Sequence, residues 1–72
     1  MVRRGMAGEA VRVLELALNV LPDSAYLYGC LGDACLENDD RDAATVAYGK
    51  SLALAPSNRH AAEMLKILRD QG

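Results

Sequence analysis

β-Branched residues are scarce in this chain: valine, isoleucine and threonine together supply 7 of its 72 residues. Such residues fit a pleated sheet and lose rotamer freedom in a helix, so their scarcity argues against a β architecture. An excess of positive charge is also missing. Eight basic against ten acidic residues leave a net charge of −2, which gives no electrostatic footprint for nucleic acid. No uncharged apolar run is long enough for a helix to cross a bilayer, so no membrane span is expected. The start, Met1-Val2-Arg3-Arg4, carries the charge of a signal peptide, but Glu9, Arg12 and Glu15 interrupt what would be its apolar core. Cysteine occurs twice, at Cys30 and Cys35. At that spacing on a helix they point about 140° from each other and cannot bridge. They read as reduced thiols, which suits a cytoplasmic setting.

The motifs of common chemistries are missing too. Cys30, Cys35 and the single histidine, His60, lack the short paired spacing of a zinc site, so no metal is expected. Gly29-Cys30-Leu31-Gly32 is no phosphate loop, because no Gly-Lys-Ser/Thr follows it. Asp39, Asp40 and Asp42 lack the turn glycine and the final bidentate glutamate of a calcium loop. No serine, cysteine or lysine sits in a motif that would activate it. The expectation is a protein without catalysis and without a cofactor.

What remains is abundant alanine and leucine, within a chain that is 51% apolar and 25% charged. Unbranched side chains favour helix, and the chain length fits one small domain. Pro22 and Pro56 are separated by roughly 34 residues, the length of a helix-pair repeat. The same offset pairs Ala10 with Ala44, Leu18 with Leu52 and Leu31 with Leu65, and it sets Leu14 beside Tyr48. Self-similarity at such a period is a mark of repeat architectures.

Four helices are predicted. The first runs from Glu9 to Leu21, or from as early as Met6. Arg12, Glu15 and Asn19 form its narrow polar stripe, and the rest is apolar over an arc of roughly 220°. Pro22 stops it. Asp23 or Ser24 caps the second, Ala25 to Glu37. The turn Asn38-Asp39-Asp40, with Asp39 or Asp40 as cap, leads to the third, Arg41 to Ala55, with Ala44, Ala47, Tyr48, Ser51 and Leu52 inward and Lys50 outward. Pro56 closes it. Ser57 or Asn58 caps the fourth, Arg59 to Asp70, whose apolar side is Met64, Leu65, Ile67 and Leu68.

Tyr28-x2-Leu31-Gly32-x2-Cys35, then Ala44-x3-Tyr48, then Pro56, resembles the tetratricopeptide repeat (TPR). Cys35 stands where that family prefers tyrosine, Tyr28 where it has tryptophan, and Ser51 where it has alanine. The resemblance implies one all-α domain over residues 1–72, built of antiparallel helix pairs stacked as a short right-handed superhelix. In that reading residues 1–22 are the second helix of a preceding repeat, with Gly5 at its turn. Residues 23–56 are a complete repeat, and 57–72 a terminal capping helix. Gly32 would let the paired helices approach, with Ala44 facing it, while Tyr28 and Tyr48 fill volume between them.

Such arrays dock a peptide or helix of a partner protein on a concave face. Here that face would carry Tyr26, Gly29, Asp33, Leu36 and Glu37 from the second helix, and His60, Glu63, Ile67 and Asp70 from the fourth. Gly29 would leave a gap for a partner side chain, and Tyr26 lies off the packing face. Four carboxylates without a lysine or arginine suit a basic or mixed apolar-basic segment. The family's clamp for C-terminal carboxylates, built on lysine and asparagine, has no counterpart. The first helix would lack its own partner, so Val13, Leu16 and Val20 form an exposed seam. Through that seam the chain is alternatively a homo-oligomer.

Overall fold

The computed structural model describes residues 2–71, and side chains over residues 8–70. It is all-helical: α1 (Val2–Val20), α2 (Ala25–Glu37), α3 (Arg41–Leu54) and α4 (Arg59–Gln71). Each helix packs on its neighbours in sequence, α2 against α3 most extensively. The result is a slab of 33 × 32 × 15 Å. Among the described residues no helix is long and apolar enough to cross a membrane.

The helix boundaries follow from side-chain chemistry. Ser24 caps α2 by accepting from the Leu27 amide at 3.2 Å, and Asp40 caps α3 by accepting from the Ala43 amide at 3.1 Å. Each satisfies one of the amides a helix start leaves unpaired. Asp39 lies in the left-handed region at φ 60°, a conformation aspartate tolerates. It lets the Asp40 amide turn back to the Cys35 carbonyl at 2.8 Å and close α2. Asn58 caps α4 through its Oδ1, 3.2 Å from the Ala61 amide.

α1 differs from the expectation at its start. It runs helical from Val2 through Gly5, where the repeat pattern placed a turn. An interior glycine costs a helix about 1 kcal/mol but removes no hydrogen bond, so it does not stop one as proline does.

The core lies among α2, α3 and α4. Cys35, Ala44, Tyr48, Ala61 and Leu68 form its buried cluster, with Val11, Leu31, Leu36, Leu52, Met64 and Leu65 packed against it. Its buried members are mostly small, so helices approach closely, and Tyr48 is the one large side chain wholly enclosed among the described residues. Gly32 admits the Tyr48 ring rather than Ala44. A Cβ at Gly32 would stand 2.6–2.8 Å from three ring carbons, closer than carbon atoms pack. Tyr28 is only half-buried, with Lys50 Nζ 5.8 Å from its ring centroid. α1 contributes no fully buried side chain from residue 8 onward; it packs on α2, and Val11, Leu14, Ala17 and Leu18 are its half-buried apolar residues.

One polar link joins three helices. Ser51 is 0% exposed, and its hydroxyl donates to the Ala25 carbonyl at 2.8 Å. It accepts from Asn58 Nδ2 at 2.9 Å. Burial without a partner costs a hydroxyl ~1–3 kcal/mol, and both partners here are supplied.

Candidate functional site

α2 and the start of α4 enclose a shallow depression of about 240 Å³, lined by Tyr26, Gly29, Cys30, Asp33, Asn58 and His60. The cap at Asn58 sets where α4 begins and so places His60 in its first turn, beside α2. His60 Nε2 lies 2.9 Å from Asp33 Oδ1, and the His60 ring meets Tyr48 edge-on, 5.9 Å between centroids at 81°. The Tyr48 hydroxyl rises from the core and donates to the same Asp33 Oδ1. One carboxylate thus joins α2, α3 and α4. Its pair with His60 is roughly half exposed on both sides, so it orients the two side chains more than it stabilises the fold.

Tyr26 is 77% exposed. Its hydroxyl is held above the usual phenol range, first by the neighbouring Cys30 thiol. Gly29 is buried under the depression. A Cβ there would meet Ser51 Oγ at 3.6 Å and Asn58 Nδ2 at 4.0 Å, ordinary contact distances.

Of the residues expected on this face, the fold brings Tyr26, Gly29, Asp33 and His60 together. Glu63, Ile67 and Asp70 continue the exposed face of α4, and Glu37 ends α2. Ile67, also expected on the apolar side of α4, is 44% exposed. Leu36 departs from the expectation, since it packs half-buried against the core cluster and not outward. On the α4 wheel, His60 and Ile67 lie on the α2 side of Glu63, while Arg59, Lys66 and Arg69 lie beyond it. The side of α4 nearest the depression therefore carries no lysine or arginine.

Cys30 and Asn58 line the depression without having been expected there. Asn58 carried a signal as a candidate cap, and Cys30 one as the residue a helical turn beyond Tyr26. The other thiol, Cys35, is buried, and burial pushes its pKa up, with Asp40 and Glu15 adding to the effect. It therefore stays protonated and is a packing residue. No group of three or more metal-binding side chains forms among the described residues.

A larger hollow of about 440 Å³ lies elsewhere, lined by Pro22, Asp23, Tyr28, Val46, Gly49, Lys50, Ala53 and Leu54. It holds none of the residues expected on the docking face.

Tyr48 makes the fold sensitive to alkali. Burial first, then the bond to Asp33 and the nearby Asp33 charge, push its pKa far above the usual phenol range. Below about pH 10 the phenol is neutral in folded and unfolded chains alike, and its contribution is complete. Above that the unfolded chain ionises first, so stability falls as pH rises. Urea midpoints measured from mildly alkaline pH to about pH 12, well past the free phenol's pKa, are expected to decline. Tyr48→Phe is expected to flatten that decline, and an equal decline in the variant would contradict the assignment.

No family model, no curated protein and no solved structure matches this chain.

Proposed function

We propose that this chain is a tetratricopeptide-like interaction module that docks a basic segment of a partner protein on its α2–α4 face, without chemistry of its own. The repeat reading rests on the period that links Pro22 to Pro56 and on helices that pack on successive neighbours. The observation that carries the docking reading is the depression itself. Tyr26, Gly29 and Asp33 of α2 and the distant His60 of α4 line one concavity between two helices. Asp33, Glu37 and Glu63 give that face its negative sign, and complementary charge selects a basic partner.

The test is a pair of peptides of equal length and apolar content, one carrying lysine and arginine, the other glutamate in their place. Calorimetry is expected to give the basic peptide at least tenfold higher affinity at low salt, with the gap narrowing as salt rises. Equal affinities would refute the charge reading.

A second reading has its own observation. Val13, Leu16 and Val20 are 63%, 65% and 77% exposed along one side of α1. They repeat at spacings of three and four, the pattern of a helix–helix seam. In this reading a second copy covers them. Light scattering is then expected to show a dimer that dissociates in the double variant Leu16→Asp, Val20→Asp. The variant's helical content is expected to persist, because both positions are exposed. A wild-type monomer across the accessible concentration range would exclude this reading.

A further inference from the structure

We propose that the depression between α2 and α4 is a socket for one arginine side chain of the partner, with its guanidinium on the free oxygen of Asp33 and its stem against the Tyr26 ring. This rests on the docking reading above and specifies what the face recognises.

Both bonds that reach Asp33, from Tyr48 and from His60, land on Oδ1. Oδ2 is left without a partner among the described residues, on a side chain 53% exposed. Asn58 gives its Nδ2 to Ser51 and its Oδ1 to the Ala61 amide, and His60 points Nε2 at Asp33. Asp33 is the one carboxylate of the lining, and its vacant anionic oxygen calls for a cationic donor.

One feature favours arginine over lysine. Tyr26 presents its ring to solvent beside that acceptor, and a guanidinium stacks on aromatic faces while shedding water more readily than an ammonium. The Tyr48 and His60 bonds fix Asp33 beforehand, so little side-chain freedom is lost on binding.

The test uses the intact chain and a blocked pentapeptide of alanine with a central arginine, titrated at low salt. Matched peptides carry lysine or neutral citrulline in its place. The arginine peptide is expected to bind at least tenfold more tightly than the citrulline peptide and at least threefold more tightly than the lysine peptide. Asp33→Asn is expected to weaken arginine binding tenfold or more. Tyr26→Ala, at an exposed position that leaves the fold intact, is expected to weaken it threefold or more. Equal affinity for lysine and arginine would overturn the choice of arginine. Full affinity retained in both Asp33→Asn and Tyr26→Ala would overturn the socket while leaving the wider basic-segment reading standing. Failure of longer basic peptides as well as the pentapeptide would overturn both.

Discussion

Tyr48→Ala is expected to destabilise the fold by about 3–5 kcal/mol, as large-to-small changes of buried aromatics do. The side chain is 0% exposed. Its ring fills the space over Gly32 and meets the His60 ring, and its hydroxyl holds Asp33. The other buried members of its cluster are mostly small, so they do not fill the space the ring would leave. Small domains are stable by about 5 kcal/mol at the low end of the usual range, and this loss takes most of that. Circular dichroism on heating is expected to show a transition ~12–40 °C lower than in the wild type, at ~4–8 °C per kcal/mol for a domain of this size. A shift below about 5 °C, worth roughly 1 kcal/mol, would mean that Tyr48 is not the central packing residue.

Gly32→Ala is expected to be the second most damaging change, for the complementary reason. The added methyl would lie 2.6–2.8 Å from the Tyr48 ring, and that ring is enclosed and cannot swing away. Overpacking of this kind costs about 1–3 kcal/mol, at the upper end for a locked ring. Alanine returns ~1 kcal/mol of helix propensity, leaving a net loss of about 2 kcal/mol. Gly49→Ala is the control. Nothing lies within 4 Å of a Cβ there, so only the propensity gain remains. That variant is expected to be the more stable by about 0.5–1 kcal/mol. The cycle between positions 32 and 48 sharpens the argument. Once Tyr48 is alanine, the methyl at position 32 meets no ring. The double variant is expected to be no less stable than Tyr48→Ala alone. Additive losses would show that the ring does not lie over Gly32.

These two positions also mark how much of the molecule was legible in its sequence. The four helices were, because caps and prolines act locally. Ser24, Asp40 and Asn58 each stand where a polar side chain can take a free amide, and Pro22 and Pro56 stand where a helix cannot continue. The inward face of α3 was legible for the same reason, since Ala44, Ala47, Tyr48 and Ser51 recur at helical spacing. Depth was not. The repeat resemblance set Ala44 opposite Gly32, but how far the Tyr48 ring reaches is set by its rotamer and by where α4 lies. Leu36 was misplaced likewise, since a residue at the edge of a helix face can turn to either side. Ala61, 0% exposed, escaped notice because a small residue carries little hydrophobic signal.

The candidate site divides along the same line. Tyr26, Gly29 and Asp33 share one face of α2 by spacing alone. That His60 reaches Asp33 from a distant part of the chain, and that the Tyr48 hydroxyl meets the same oxygen, depends on the packing of three helices. Ser51 shows the converse. As a departure from an alanine position it looked like a blemish in the repeat pattern, and in the fold it ties α2 and α4 to α3.

The central claim is that the α2–α4 face receives a basic partner segment. Titrating the isotopically labelled chain with a basic peptide, and following every backbone amide by nuclear magnetic resonance, tests it most directly. Shifts are expected to concentrate at Tyr26, Gly29, Asp33, His60 and Glu63, with the amides of Val13, Leu16 and Val20 unmoved. Shifts centred on α1, or on the hollow around Val46 and Gly49 with the α2–α4 face unmoved, would contradict it.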